Sequence, residues 1–148
     1  MNNKKRALHH KFPEIGLAMD LHSVWPVLSL GAVGAMGIYQ PVANTTGIVF
    51  VRYGPGETVD EFVRQLGGML TDITVLHDKP ITFAGEDGRR VTVRMTMHLR
   101  KPVERTTLVV IGFSHRGIPI LVGYRVLDKA LRRYQTQLEG IFDSVALS

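Results

Sequence analysis

The chain predicts an α+β fold, an antiparallel sheet with helices packed on it. Apolar residues alternate with a period of two along most of its length, and the spacing becomes helical in only two stretches. The resulting order is strands, helix, several strands, helix, without the regular strand–helix alternation of a parallel sheet. At 148 residues, with no internal repeat and no linker-like segment, this is one domain. The expected division is a basic N-terminal arm over residues 1–11 and a single α+β domain over 12–148.

Each element follows from its own residues. Ile15, Leu17, Met19 and Leu21 alternate with Gly16, Ala18, Asp20 and His22, a strand with one buried face that Trp25-Pro26 closes. Val27 to Tyr39 and Thr46 to Tyr53 read as two further strands, with Gln40, Pro41, Asn44 and Gly47 as breakers. Ser23 to Val51 contains no Asp, Glu, Lys or Arg. Its most apolar part, Val27 to Tyr39, would as a helix reach only about 20 Å across a hydrocarbon layer of about 30 Å. No membrane span is therefore expected, and a buried strand with a glycine-rich bend at Gly31, Gly34 and Gly37 is. Gly54-Pro55-Gly56 then turns the chain.

Val59, Phe62, Val63, Leu66, Met69 and Leu70 make the apolar face of a helix. Thr58 and Glu61 form a capping box at its start, Asp60 and Glu61 suit the positive end of its dipole, and Gly67-Gly68 weakens its last turn, so its end is expected near Leu70. Ile73–Leu76 and Ile81–Phe83 flank a predicted turn at His77, Asp78, Lys79 and Pro80. Glu86-Asp87-Gly88 is the predicted hairpin turn into a strand from Arg89. In that strand Val91, Val93, Met95, Met97 and Leu99 alternate with Thr92, Arg94, Thr96, His98 and Arg100. Leu108 to Phe113 is apolar at nearly every position, as in a central strand covered on both faces. Arg116-Gly117 turns it into Ile118–Tyr124. Leu127, Leu131, Tyr134, Leu138, Ile141 and Phe142 recur at spacings of three and four, the clearest helix of the chain.

Function is constrained mainly by what is missing. Without cysteine there is no disulfide, thiolate nucleophile, iron–sulfur cluster or thiolate-bound zinc. The N-terminal Met-Asn-Asn-Lys-Lys-Arg passes directly into His9, His10 and Lys11, which is not a signal-peptide pattern, and a cytoplasmic location is expected. The six histidines show no His-Glu-x-x-His spacing, and Ser114-His115 lacks the flanking glycines of a nucleophile elbow. Gly31, Gly34 and Gly37 miss the dinucleotide and phosphate-loop spacings. The expectation is a non-enzyme with no cofactor and no metal.

Charge is the main non-structural signal. The net charge is only +5, but residues 12–87 hold three basic and nine acidic side chains while residues 88–133 hold eleven basic and two acidic ones. On the polar face of the strand from Arg89, the residues Arg90, Arg94, His98 and Arg100 align as a candidate binding face for phosphates, carboxylates or an acidic partner helix. The competing reading is an ordinary solvated face, its arginines paired with acids such as Glu104 and Asp87. A nucleic-acid reader would interleave aromatics there, whereas this strand has threonines, so nucleic acid is not the expected partner.

The order of elements resembles the PsbP/Mog-like superfamily. The resemblance rests on the early strand from Ile15 to Trp25, the strand ending Ile48-Val49-Phe50-Val51-Arg52 and the Gly56 to Val63 helix start. It also rests on Ile81-Thr82-Phe83-Ala84-Gly85 before a hairpin and on the closing helix through Phe142 and Ser144. Covering roughly residues 12–147, it is similar to the DcrB-like bacterial domains and, in length, to the Eag-type secretion chaperones. It implies an α+β sandwich that binds a protein partner as an adaptor or chaperone. The alternative is a small-ligand or nucleic-acid module using the basic strand face. A long apolar strand at a sheet edge, such as Val27 to Tyr39, also predicts a homodimer unless it is covered.

Overall fold

The computed structural model describes residues 7–22, 27–29, 35–42, 45–67, 71–97 and 104–148. A small antiparallel sheet joins β1 (Ala7–Phe12), β2 (Leu17–His22) and β10 (Ala146–Leu147), with β2 in the middle. The main sheet comprises β3 (Val27–Ser29), β4 (Ala35–Val42), β5 (Thr45–Tyr53), β6 (Thr71–Phe83), β7 (Glu86–Met97), β8 (Glu104–His115) and β9 (Ile118–Leu127). Its order is β3-β4-β5-β9-β8-β7-β6, and all its pairings are antiparallel. The helices are α1 (Val59–Gly67) and α2 (Asp128–Asp143).

The main sheet is covered on both sides, which explains the continuous apolar run in β8. On one face Val91, Val93 and Met95 of β7 join Leu108 and Val110 of β8 beneath Val59 and Phe62 of α1. On the other, Val109, Ile111 and Phe113 of β8 and Val122, Tyr124 and Val126 of β9 pack under α2 and the small sheet. Met95 is fully buried in the α1-side core. At Gly112 a Cβ would come within 2.5 Å of the Val59 side chain, so the absence of a side chain there lets α1 sit directly on the sheet.

Several boundaries differ from the sequence expectation. The apolar stretch read as one strand over 27–39 is divided between β3 and β4, and β4 runs on to Val42 through Gln40 and Pro41, which were expected to break it. β1 takes in residues 7–11, which charge alone placed in the arm; His9 Nδ1 lies 2.8 Å from Asp20 Oδ1 on β2. His77 to Pro80 are not a turn. They lie inside β6, which pairs with β7 through two irregularities, between Thr71 and Thr74 and between Val75 and His77. An edge position tolerates Pro80, since no inner ladder depends on both its sides.

The hairpin turn falls at Ala84-Gly85, both at positive φ (51° and 87°), with Phe83 opposite Glu86. Asp87-Gly88 is within β7 instead, where a Cβ on Gly88 would lie 2.8 Å from the Gly112 carbonyl oxygen. Arg116-Gly117 turns as expected, at φ 55° and 75°. Half of the expected capping box forms: Thr58 Oγ1 accepts from the Glu61 amide, but the Glu61 carboxylate binds Arg64 and Gln65, and the Thr58 amide donates to the Gly56 carbonyl instead. Gly68 to Leu70, where α1 was expected to end, are outside the described residues. Among the described residues no helix is long and apolar enough to cross a membrane.

Candidate functional site

The side of the main sheet that packs against α2 also reaches the outer strands. There the α2-facing side of β6, β7 and β8 floors an open groove of about 580 Å³. One wall is α2, through Leu131, Gln135, Glu139, Phe142 and Asp143; the other is β6, through Leu76, His77, Lys79, Ile81 and Phe83. The alternation of β7 sends Val91 and Val93 into the α1-side core and so leaves Arg90, Thr92 and Arg94 on the groove floor.

Arg90 is held on both sides. Its Nη1 and Nη2 lie 2.8 and 2.9 Å from the two oxygens of Glu139, and its guanidinium sits 5.6 Å from the centre of the Phe142 ring. Tyr124 donates its hydroxyl to the same carboxylate at 2.7 Å. Tyr124 is almost fully buried, and burial, then the bond to Glu139, pushes its ionisation far above the ordinary phenol range. The Glu139 bond also raises Arg90 against the opposing effect of burial. This closed network neutralises one half of the expected basic stripe.

Arg94 is held less completely. Its Nε lies 3.1 Å from Asp128 Oδ2 without the alignment of a hydrogen bond, while Thr107 donates to Asp128 Oδ1 at 2.6 Å. The Arg94 side chain is 43% exposed, and its terminal nitrogens have no partner among the described residues. Lys79 and His77, opposite Arg90 and Thr92 on β6, are exposed and equally unpaired among the described residues. The irregularity between Val75 and His77 brings Leu76, 39% exposed, to the groove as well. The groove therefore has a neutralised polar centre, the cationic Lys79 on its β6 side and an apolar lip.

Of the four residues expected as a binding face, Arg90 and Arg94 lie together on this floor, while His98 and Arg100 are outside the described residues. Their acidic partners are not the ones expected, Glu104 and Asp87. Glu139 and Asp128 of α2 take that role, while Glu104 pairs with Lys129 at 2.8 Å. A sequence signal for Glu139 existed: spacings of three and four put it with Leu131, Gln135 and Phe142 on the sheet-facing side of the helix, where a carboxylate needs a cation. No signal marked Leu76, because a bulge leaves no trace in period-two alternation.

A second depression at the start of α1 is acidic, but its carboxylates are mostly engaged. Glu57 binds Arg52, Asp60 binds Arg89, and Glu86 binds His115. Among the described residues no three His, Asp or Glu side chains are grouped so as to hold a metal ion.

No family model matches the chain, and no curated protein matches it in sequence. Solved structures do resemble it. The cyanobacterial PsbP (CyanoP) of Synechocystis superposes with a TM-score of 0.68 at 8% identity, over 97% of this chain and 94% of that one. The Ran-binding protein Mog1p of Saccharomyces cerevisiae gives 0.64 at 8% identity, over 97% and 96%. LpqN of Mycobacterium tuberculosis, involved in cell envelope biogenesis, gives 0.62 at 13% identity, over 97% and 90%. The fold is the PsbP/Mog-like α+β sandwich that the order of elements suggested.

Proposed function

We propose that the chain is a non-catalytic binding domain that receives an acidic segment of a partner protein in the groove between α2 and β6. The observation that carries this reading is the division of charge along the floor. Arg90 is spent on Glu139 and Tyr124, whereas Arg94 and Lys79 keep cationic groups facing solvent beside the apolar Leu76. Such a surface suits carboxylates flanked by an apolar side chain. The likeness to Mog1p, a Ran-binding protein, supports the reading as an example of this fold in the service of protein binding. An adaptor or chaperone-like role in the cytoplasm, secretion-associated or otherwise, is the form of binding we favour.

The test is a photo-crosslinking residue placed at Leu76, and separately at Gln65 on the exposed side of α1, in the native cell. A protein crosslinked from Leu76 but not from Gln65, and lost in Lys79→Glu/Arg94→Glu, is the expected result. Crosslinks to nucleic acid would move the function to the basic-face alternative, and a species of twice the chain mass would make the partner a second copy. Equal crosslinking from both positions would remove the groove from the account.

A further inference from the structure

We propose that His115 is a proton-operated latch that fastens the C-terminal strand β10 to the main sheet at low pH and releases it as pH rises. His115 ends β8, and its ring lies between two acceptors. Nδ1 is 2.6 Å from Glu86 Oε2, at the start of β7, and Nε2 is 2.9 Å from the main-chain oxygen of Ser148, just after β10. Neither a carboxylate nor a main-chain oxygen can donate a hydrogen. Both ring nitrogens must therefore donate, and only the imidazolium does so; a neutral ring satisfies one acceptor and presents a lone pair to the other.

The tail is otherwise held by the Ser148 hydroxyl, 3.4 Å from the Gly16 carbonyl oxygen, by partial burial of Leu147 against the core, and by a short pairing. Ser148 donates its amide to the Gly16 carbonyl at 2.8 Å, and β10 pairs with β2 at only two positions, Ala146 with Ala18 and Leu147 with Leu17. Upstream, Ser144 is fixed separately: its hydroxyl accepts from the Asp20 amide and donates to the Ile141 carbonyl. Loss of the ring bond would thus loosen residues 146–148, whose remaining contacts are these, and leave α2 in place. Gly16 is part of the same closure, since a Cβ there would lie 2.6 Å from the Ser148 oxygen.

The charged groups facing the ring are Glu86, which favours the proton, and Arg116 in the following turn, which opposes it. The Ser148 bond is the largest contribution and the Glu86 bond the next, and together they hold His115 above the ordinary imidazole value of 6.5. The sign follows: the latch is fully closed below that value and opens as pH climbs through the raised one. When the proton leaves, only one of the two acceptors keeps an N–H; Glu86, the nearer at 2.6 Å against 2.9 Å, retains it and the Ser148 bond is the one lost.

The experiment is a nuclear magnetic resonance titration of the intact chain. It follows the His115 ring nitrogens together with the cross-strand contacts between Leu147 and Leu17. Expected are two protonated ring nitrogens below the midpoint, a midpoint above 6.5, and loss of the cross-strand contacts through the same midpoint. Glu86→Gln is expected to lower the midpoint, and His115→Gln to leave the contacts independent of pH. A neutral ring below pH 6.5, or contacts that persist unchanged through the titration, would overturn the latch.

Discussion

The Arg90–Glu139–Tyr124 network makes a quantitative claim about stability that Glu139→Gln tests directly. The glutamine keeps the length of the side chain but offers one acceptor oxygen where three donor groups converge, and it turns an amide N–H₂ toward donors. Hydrogen bonds to a charged group contribute about 1.5–3 kcal/mol net. With the Arg90 and Glu139 side chains 24% and 31% exposed, water recovers part of this, so the expected loss is about 2 kcal/mol. For a chain of this length that lowers the midpoint of thermal unfolding by roughly 4–8 °C. Urea unfolding gives the energy directly, with an unchanged denaturant slope as the sign that only stability has moved. Glu139→Ala is expected to cost more, because it leaves the hydroxyl of Tyr124, a residue only 1% exposed, with no acceptor. In an Arg90→Met background the Glu139→Gln loss is expected to shrink by about 1 kcal/mol. A loss below about 0.5 kcal/mol, or no coupling to Arg90, would refute the claim that these groups act as one unit.

Other perturbations separate the groove from the fold. Arg94→Gln is expected to cost less than about 1 kcal/mol by urea unfolding, since the pair is half exposed and imperfectly aligned, yet to lose the Leu76 crosslink. Gly123→Ala should destabilise by about 3 kcal/mol, because the added Cβ would lie 2.6 Å from the Phe50 ring and 2.7 Å from the Val109 carbonyl oxygen, and the latter belongs to a central strand. A stability within about 0.5 kcal/mol of the parent would show that β9 has more room than its contacts imply. Tyr53 donates to Glu14 at 2.5 Å, and this bond is the main cause that holds the Glu14 carboxyl below its ordinary value of 4.5. Its contribution is present above that value and is lost as pH falls through the lowered one. Tyr53→Phe should therefore make unfolding less sensitive to acid below pH 4.5, and an unchanged acid limb would count against it.

The sequence was legible where one periodicity governed a whole element. β7, β8 and α2 follow from alternation and helical spacing, because each has a face that the core must cover. Turns were less legible. Asp87-Gly88 carries the residues of a hairpin turn, yet the bend uses Ala84-Gly85, since Gly88 is required for close approach to Gly112. β10 and the edge strand β6 were missed or broken up because two-residue pairing and bulges erase the periodic signal. Half of the candidate face was also legible, in that alternation put Arg90 and Arg94 on one side of β7. Their neutralisation was not, because the partner acids lie about 34 and 49 positions further along the chain and meet them only when α2 folds back over the sheet.

That return of α2 changes what the charge segregation means. Residues 88–133 look strongly basic as a segment, and such a segment at a sheet edge would attract nucleic acid. In the fold, Glu139 and Asp128 are laid across Arg90 and Arg94, and what the groove keeps of the basic excess is the outer part of Arg94, with Lys79 facing it from β6. The edge of β6 is itself a poor template for another strand. Two irregularities interrupt it, Asp72 adopts φ 55°, Pro80 has no N–H to offer, and Asp78 and Lys79 are charged. A partner on this side of the molecule would thus be recognised through side chains in the groove and not by extending the sheet. This also explains why Leu76 is turned toward the groove by one of the features that blunts the edge.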